Sequence, residues 1–329
     1  MHQYLNCEII APTPKLGAGR LIVSNLHTPM NIPTSSSITH QHLVSIVATE
    51  LKPNKVVRVL DVGCGRGKMI SFFQKALTIL FPDSIVEIYG LDQAGHGAFT
   101  MGGPCEEAID YLSQEIPGVR WKDRIRMVPP GARWPWEENF FDAAVSNQVL
   151  EHVRDFDDFF EQTYRVLKVG GISPHLFPLK NYIYEGHIFV PFAHRIQEHD
   201  LAISYLRLMH RLGFGKLDAQ GRPSRKGFAD PVMQADWLHR FTNYAGKKDF
   251  LSICRKDDFR TSFRYTREFY TAKIRQLMKF KPVYVYKRKR SVMFDRISFA
   301  FLKYISSITL FLQKPEYGEH TELLLFPPK

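Results

Sequence analysis

Cysteine is scarce in this chain: Cys7, Cys64, Cys105 and Cys254 are the only four in 329 residues, and no two form a C-x-x-C pair. That excludes a zinc ribbon and a secreted disulfide framework, and it fits a reducing cytosol. The opening MHQYLNCEIIAPTPKL lacks the basic segment followed by an apolar one that a secretory signal needs, so a cytoplasmic setting is expected. Uninterrupted apolar runs are also missing. The longest candidate, Val292 to Leu312, is broken by Asp295, Arg296 and Lys303, and falls short of the roughly eighteen apolar residues of a membrane span. There is no internal repeat and no low-complexity tract. With 44% hydrophobic and 23% charged residues, disorder is excluded and a core can be buried. The length suits one catalytic domain with sizeable elaborations.

Charge of one sign is not lacking, but it is unevenly placed. Arg255 to Lys303 holds fifteen Lys or Arg against four Asp or Glu, a net +11 that equals the formal charge of the whole chain. The remainder is neutral. Such a basic third suits a nucleic acid, an anionic lipid or a phosphorylated substrate, or is simply a solvated face.

Residues 1–37, rich in Pro, Gly, Ser and Thr, read as an irregular arm. A helix capped near Ser37 or Thr39 follows, burying Leu43, Val44, Ile46, Val47 and Leu51. From Val56 the run VVRVLDVG has the texture of a parallel strand buried on both sides. A helix is expected at Met69 to Leu80, a strand at Val86 to Asp92, and a helix at Cys105 to Glu115. Further strands are expected at Ile125 to Val128, Phe141 to Ser146 and Ile172 to Phe177, with a helix from Phe156 to Leu167 ahead of a Gly170-Gly171 turn. Strands alternating with helices predict an α/β fold: a Rossmann-like, doubly wound, mostly parallel sheet with an N-terminal helical arm and a C-terminal helical elaboration. The expected division is 1–55 for the arm and its helix, 56–180 for the nucleotide-binding core, and 181–329 for an acceptor-binding, basic elaboration. In that last part helices are expected at His199 to Leu212, ending at Gly213, and over 259–280. Strands at Val283 to Tyr286 and Glu322 to Phe326 would complete the sheet, bridged by a helix within Val292 to Leu312.

The sharpest motif is V-L-D-V-G-C-G-R-G-K, Val59 to Lys68. Glycines after a buried strand let the backbone approach a nucleotide-like ligand. Asp61 at the strand end would repel a pyrophosphate but accepts hydrogen bonds from an ammonium. The third glycine of G-x-G-x-x-G is absent, which disfavours a dehydrogenase. Asp92 ends the next strand, where a carboxylate takes both ribose hydroxyls or caps the following helix.

These pieces, with WPWEENFFDAAVSNQVLEHV (Trp134 to Val153) and YRVLKVGG (Tyr164 to Gly171), resemble the class I S-adenosylmethionine-dependent methyltransferases, in particular the broad family of small-molecule and glycan O-methyltransferases. The resemblance runs from about Val56 to Phe177. It implies S-adenosylmethionine as cofactor, with Asp61, Gly63 and Gly65 on its methionine part, Asp92 on the ribose, Gln93 beside the adenine, and Asn147 and Gln148 at the mouth of the site. The chain departs from the pattern at Pro130-Gly131-Ala132, where the family often carries a carboxylate, and at Pro174, which fits only an edge or bulged strand.

For the chemistry, His152 after the fourth strand and His187 in EGHIFVPFAH are the candidate bases, each with a packing or capping role as its alternative. Glu185 stands beside His187, with His194 and His199 downstream. The seven-residue spacing of His187 and His194 is not a tight ligand motif, so no metal is expected. Trp134, Trp136, Phe140 and Phe141 either close over the adenine or fill the core. A basic cluster, Lys287 to Arg290, beside the apolar segment to Leu312 suits peripheral membrane contact through 287–312. The expected partner is therefore a small-molecule, glycan or lipid-linked acceptor. Nucleic acid is the lesser alternative, since SNQV stands where an N-P-P-Y-type motif would, and a non-catalytic binding protein is a third.

Overall fold

The computed structural model describes residues 32–316, apart from 34, 36, 94–103, 219–222, 225 and 288–290. The strand expected at Glu322 to Phe326, most of the N-terminal arm and the basic residues Arg288 to Arg290 lie outside the described residues.

The central strand is the one the sequence marks most clearly. β1 (Val56–Val62) pairs in parallel with β2 (Ile85–Gln93) on one side and β4 (Phe141–Asn147) on the other. β3 (Ile125–Val128) and β5 (Leu167–Pro178) extend the parallel ladder outward. β8 (Arg260–Ser262) and β9 (Ser307–Gln313) complete the sheet, in the order β3-β2-β1-β4-β5-β9-β8, with β9 antiparallel to both its neighbours. A short ribbon of β6 (Tyr184–Glu185) and β7 (Val190–Pro191) stands apart from it.

Alternation along β1 feeds two cores: Val57 and Val59 join one, Leu60 and Val62 the other. The first is closed by α1 (Ile38–Glu50), α2 (Lys68–Leu80), α3 (Pro104–Glu115) and α9 (Thr266–Leu277), through Leu43, Phe73, Leu112 and Phe269. The short α4 (Trp121–Arg124) adds Trp121 to it. The second is closed by α5 (Phe156–Val166), α8 (Lys247–Lys256) and α10 (Val292–Leu302), through Phe160, Phe250 and Phe299. Because α2 and α5 lie on opposite faces, the sheet is doubly wound, as expected. A third apolar cluster joins α6 (His199–Arg211) and α7 (Pro231–Phe241) to the ribbon through Leu206, Leu238 and Val190.

Four expectations need correction. Val283 to Tyr286 is not a strand: it lies on α1, where Ser45 Oγ and Gln41 Nε2 donate to the Val283 carbonyl and Tyr286 N donates to Thr49 Oγ1. The single helix within Val292 to Leu312 is α10 followed by β9, because the β-branched and apolar SITLFLQ is buried between two strands. The helix over 259–280 begins only at Thr266, with β8 ahead of it. Gly170-Gly171 does not precede the fifth strand but sits inside it, as an irregularity where the register against β4 shifts between Phe141 and Ala143.

Pro174 is likewise not on an edge, since β5 lies between β4 and β9. The same register holds either side of it, Ala143 opposite Ile172 and Ser146 opposite His175, which points the missing proline donor at the Ala144 carbonyl. That carbonyl instead accepts the Ser173 hydroxyl at 2.6 Å, so a side chain replaces the absent ladder bond.

Candidate active site

Strand order reverses about β1, which opens a crevice at the carboxyl ends of β1 and β4. The turn after β1 enters it. Gly63, Gly65 and Gly67 all have positive φ, +76°, +49° and +73°. At Gly63 a side chain is excluded on both grounds, since a Cβ would stand 2.4 Å from Val149 Cγ2. At Gly65 a Cβ would meet nothing within 4 Å, so this stretch of backbone is open to a ligand.

Asp61, the last but one residue of β1, is almost wholly buried, and among the described residues neither carboxylate oxygen has a hydrogen-bond partner. Burial first, and the charge of Asp92 second, hold its pKa well above the ordinary carboxylate range. A buried acid left without a donor is a receptor for a cation, and an ammonium fits it. Asp92 lies one residue before the end of β2. Its Oδ2 accepts from Gly65 N at 2.7 Å and its Oδ1 from Gln93 N at 2.8 Å, which ties the end of β2 to the glycine turn. The donor set thus fits an amino-acid and ribose ligand such as S-adenosylmethionine.

On the β4 side, Asn147 presents a buried Oδ1 with no partner. Gln148 departs from its expected place at the mouth. Its φ of +56° turns the side chain back to the sheet, where Nε2 donates to Ser307 Oγ at 2.8 Å and to the Leu176 carbonyl at 3.3 Å. The aromatics resolve toward the core: Trp134 packs edge-on against Phe159, and Phe141 is sealed between Trp136, Phe140 and Tyr89.

The two candidate histidines, thirty-five residues apart in the chain, meet with ring centroids 5.0 Å apart. His152 closes a single 3-10 turn, Leu150–His152, and its Nδ1 lies 2.6 Å from the Phe241 carbonyl at the end of α7. A carbonyl only accepts, so this nitrogen carries the proton and Nε2 is the basic one. His187 uses Nδ1 in the same way, 2.7 Å from Glu185 Oε1. Glu185 is fully buried and accepts also from Tyr244 and Tyr182 hydroxyls and from the amides of His187 and Ile188. Burial alone would raise its pKa, but His187 and these donors hold it below the ordinary range. Burial likewise lowers His187, and the hydrogen bond and charge of Glu185 outweigh it to leave the imidazole above its usual value. Trp237 from α7 packs against His187, ring centroids 4.8 Å apart and tilted by 43°.

Beside these rings lies Glu151, a carboxylate oxygen of which is within 4.8 Å of a ring nitrogen of each. It is buried, neither carboxylate oxygen has a partner, and burial pushes its pKa up to about 8. His194 stands elsewhere, its Nε2 on the Lys180 carbonyl, and His199 pairs with Asp236. Tyr182, Trp237, Asn243 and Tyr244 were not singled out from sequence, because no motif marks them. Asn243 nevertheless fastens the site, donating its amide to the Glu151 carbonyl at 2.6 Å and its side chain to the Val153 carbonyl at 2.8 Å.

Residues 60–173 match the model of a methyltransferase domain. No curated protein matches the chain. Among solved structures, it is similar to YcgJ of Bacillus subtilis at 15% identity and a TM-score of 0.41, covering 84% of this chain and 98% of that one. It is similar to a geranyl diphosphate C-methyltransferase of Streptomyces coelicolor at 12% and 0.41, covering 83% and 76%. It is also similar to a phosphoethanolamine N-methyltransferase of Haemonchus contortus at 15% and 0.41, covering 84% and 52%.

Proposed function

We propose that the chain, whose residues 60–173 match the model of a methyltransferase domain, is a class I, S-adenosylmethionine-dependent methyltransferase that methylates a hydroxyl of a small-molecule, glycan or lipid-linked acceptor. The observation that carries the reading is the Asp61 carboxylate, buried without a donor beneath a glycine turn that Asp92 holds in place. S-adenosylmethionine, when bound, supplies an electrophilic methyl group on a sulfonium.

In this reading Asp61 receives the methionine ammonium, and the backbone at Gly63 and Gly65 lets the ligand close on the turn. Asp92 takes the ribose hydroxyls, Gln93 lies beside the adenine, and Asn147 faces the crevice from β4. Gln148 acts through its backbone, since its side chain braces β9. The acceptor side is formed by His152 and His187. Their Nε2 atoms are the basic ones when the rings are neutral, and a hydroxyl placed against either is oriented and relieved of its proton.

A specific observation favours a lipid-linked acceptor. On α10 and the turn after it, Met293, Ile297, Phe301 and Ile305 recur every four residues and are exposed, with Phe294 beside them. Arg296 and Lys303 flank this stripe, as in a segment that lies on an anionic membrane surface. Membrane contact is confined to this half of 287–312, because Ile308, Leu310 and Leu312 of β9 are buried in the sheet. Among the described residues no helix is long and apolar enough to cross a membrane.

The test is incubation of the purified chain with methyl-labelled S-adenosylmethionine and hydroxylated glycans or lipid-linked sugars. Label in an ether supports the reading, and label appearing only on nitrogen or carbon overturns the hydroxyl acceptor.

A further inference from the structure

Neutral imidazoles whose Nδ1 atoms are both tied to acceptors present Nε2 lone pairs, and a carboxylate without a donor presents two more. Glu151, His152 and His187 each offer one ligand atom, a carboxylate oxygen or a ring nitrogen, and these atoms lie within 4.8 Å of one another. We propose that these three residues bind a divalent transition-metal cation, which takes the acceptor's oxygen as a further ligand. The inference rests on the methyltransferase reading and names what its acceptor site is built to hold.

Three features support it independently of spacing. The Glu151 oxygens are buried and unpartnered, which is costly for an acid unless a cation satisfies them. Each histidine is backed by an acceptor on its other nitrogen, the Phe241 carbonyl for His152 and the Glu185 carboxylate for His187. That outer support fixes the tautomer and ring orientation and raises ligand basicity, as is general for metal-binding histidines. The ring planes are also held by Trp237, centroids 4.8 Å from His187 and 6.2 Å from His152. Two imidazoles and one carboxylate suit zinc, iron, cobalt or nickel rather than magnesium or calcium, which prefer oxygen throughout. Three protein ligands leave positions for a substrate oxygen. The ligands come from the β4 exit and from the segment after β5, so the sequence spacing of His187 and His194 held no trace of the set.

The site also lies beside the cofactor turn. Val149, whose Cγ2 lies where a Gly63 side chain would go, is two residues before Glu151.

The experiment is titration of the full, chelator-treated chain with Zn2+ by calorimetry and with Co2+ by visible absorption, repeated on Glu151→Gln and His187→Asn. His187 is partly exposed, so its replacement tests the site without a buried change, and thermal melts check both folds. We expect saturable binding of one ion, a Co2+ spectrum with nitrogen ligation, and a loss of at least tenfold in affinity in each variant. S-adenosylmethionine binding, measured on the same variants, is expected to persist. No saturable binding to the native chain, or binding unchanged in both variants, overturns the metal site while leaving the methyltransferase reading intact. An organic amine that binds in place of the ions, and loses affinity in Glu151→Gln, would overturn it as well.

Discussion

Val149 occupies the space that a side chain on Gly63 would need: a Cβ there would stand 2.4 Å from Val149 Cγ2. The turn after β1 and the exit of β4 therefore pack as one unit. Gly63→Ala adds that clash to the strain of a φ of +76° and is expected to cost about 1–3 kcal/mol, with loss of cofactor affinity. Gly65→Ala has no such clash, so urea denaturation of the pair should rank Gly63→Ala clearly lower.

Ser173 substitutes for the amide that Pro174 cannot supply, and its oxygen also lies 2.9 Å from His175 Nε2. Ser173→Ala leaves the Ala144 carbonyl without that donor in the middle of the sheet. A loss of about 1–3 kcal/mol is expected in chemical denaturation. The double change with Pro174→Val, which restores a ladder donor, should recover part of it.

His175 gives the fold an acid sensitivity. It is fully buried between Phe159 and Phe160, and burial lowers its pKa to about 3. The unfolded chain, with a histidine near 6.5, binds more protons, so stability is fully present above about 6.5 and falls as pH drops toward about 3. The slope from this one group is about 1.4 kcal/mol per pH unit within that window. Denaturation at pH 7 and pH 5 should show the loss, and His175→Asn should flatten it.

The exposed stripe of α10 predicts binding to vesicles. Phe294→Glu with Phe301→Glu is expected to weaken sedimentation with phosphatidylserine vesicles about tenfold or more. Folding should be unaffected, since Phe294 and Phe301 are more than half exposed. Equal binding by the native chain and the variant would remove the membrane from the account.

The parallel half of the fold was legible because β1 and β4 are largely buried on both faces and therefore written as apolar runs, while β2 alternates buried and part-exposed residues ahead of Gly90 and Asp92. The C-terminal half was not. SITLFLQ reads as the tail of an apolar helix, and only its partners β5 and β8, distant in sequence, make it a strand. Asp61 and Asp92 lie near the ends of β1 and β2, where the local motif places them. His152 and His187 were each visible alone, but their meeting depends on β4, β5 and α7 together, and Tyr244 and Trp237 join them with no periodicity to announce it. Gln148 misled because a left-handed backbone, which sequence seldom reveals outside glycine, reverses its side chain.

The central claim is tested most directly by calorimetric titration of the purified chain with S-adenosylmethionine and, separately, with NAD, on the native protein and on Asp92→Ala. The account predicts that S-adenosylmethionine binds, that NAD does not, and that Asp92→Ala loses the binding while remaining folded. Binding of NAD, or no binding of S-adenosylmethionine to the folded native chain, would contradict it.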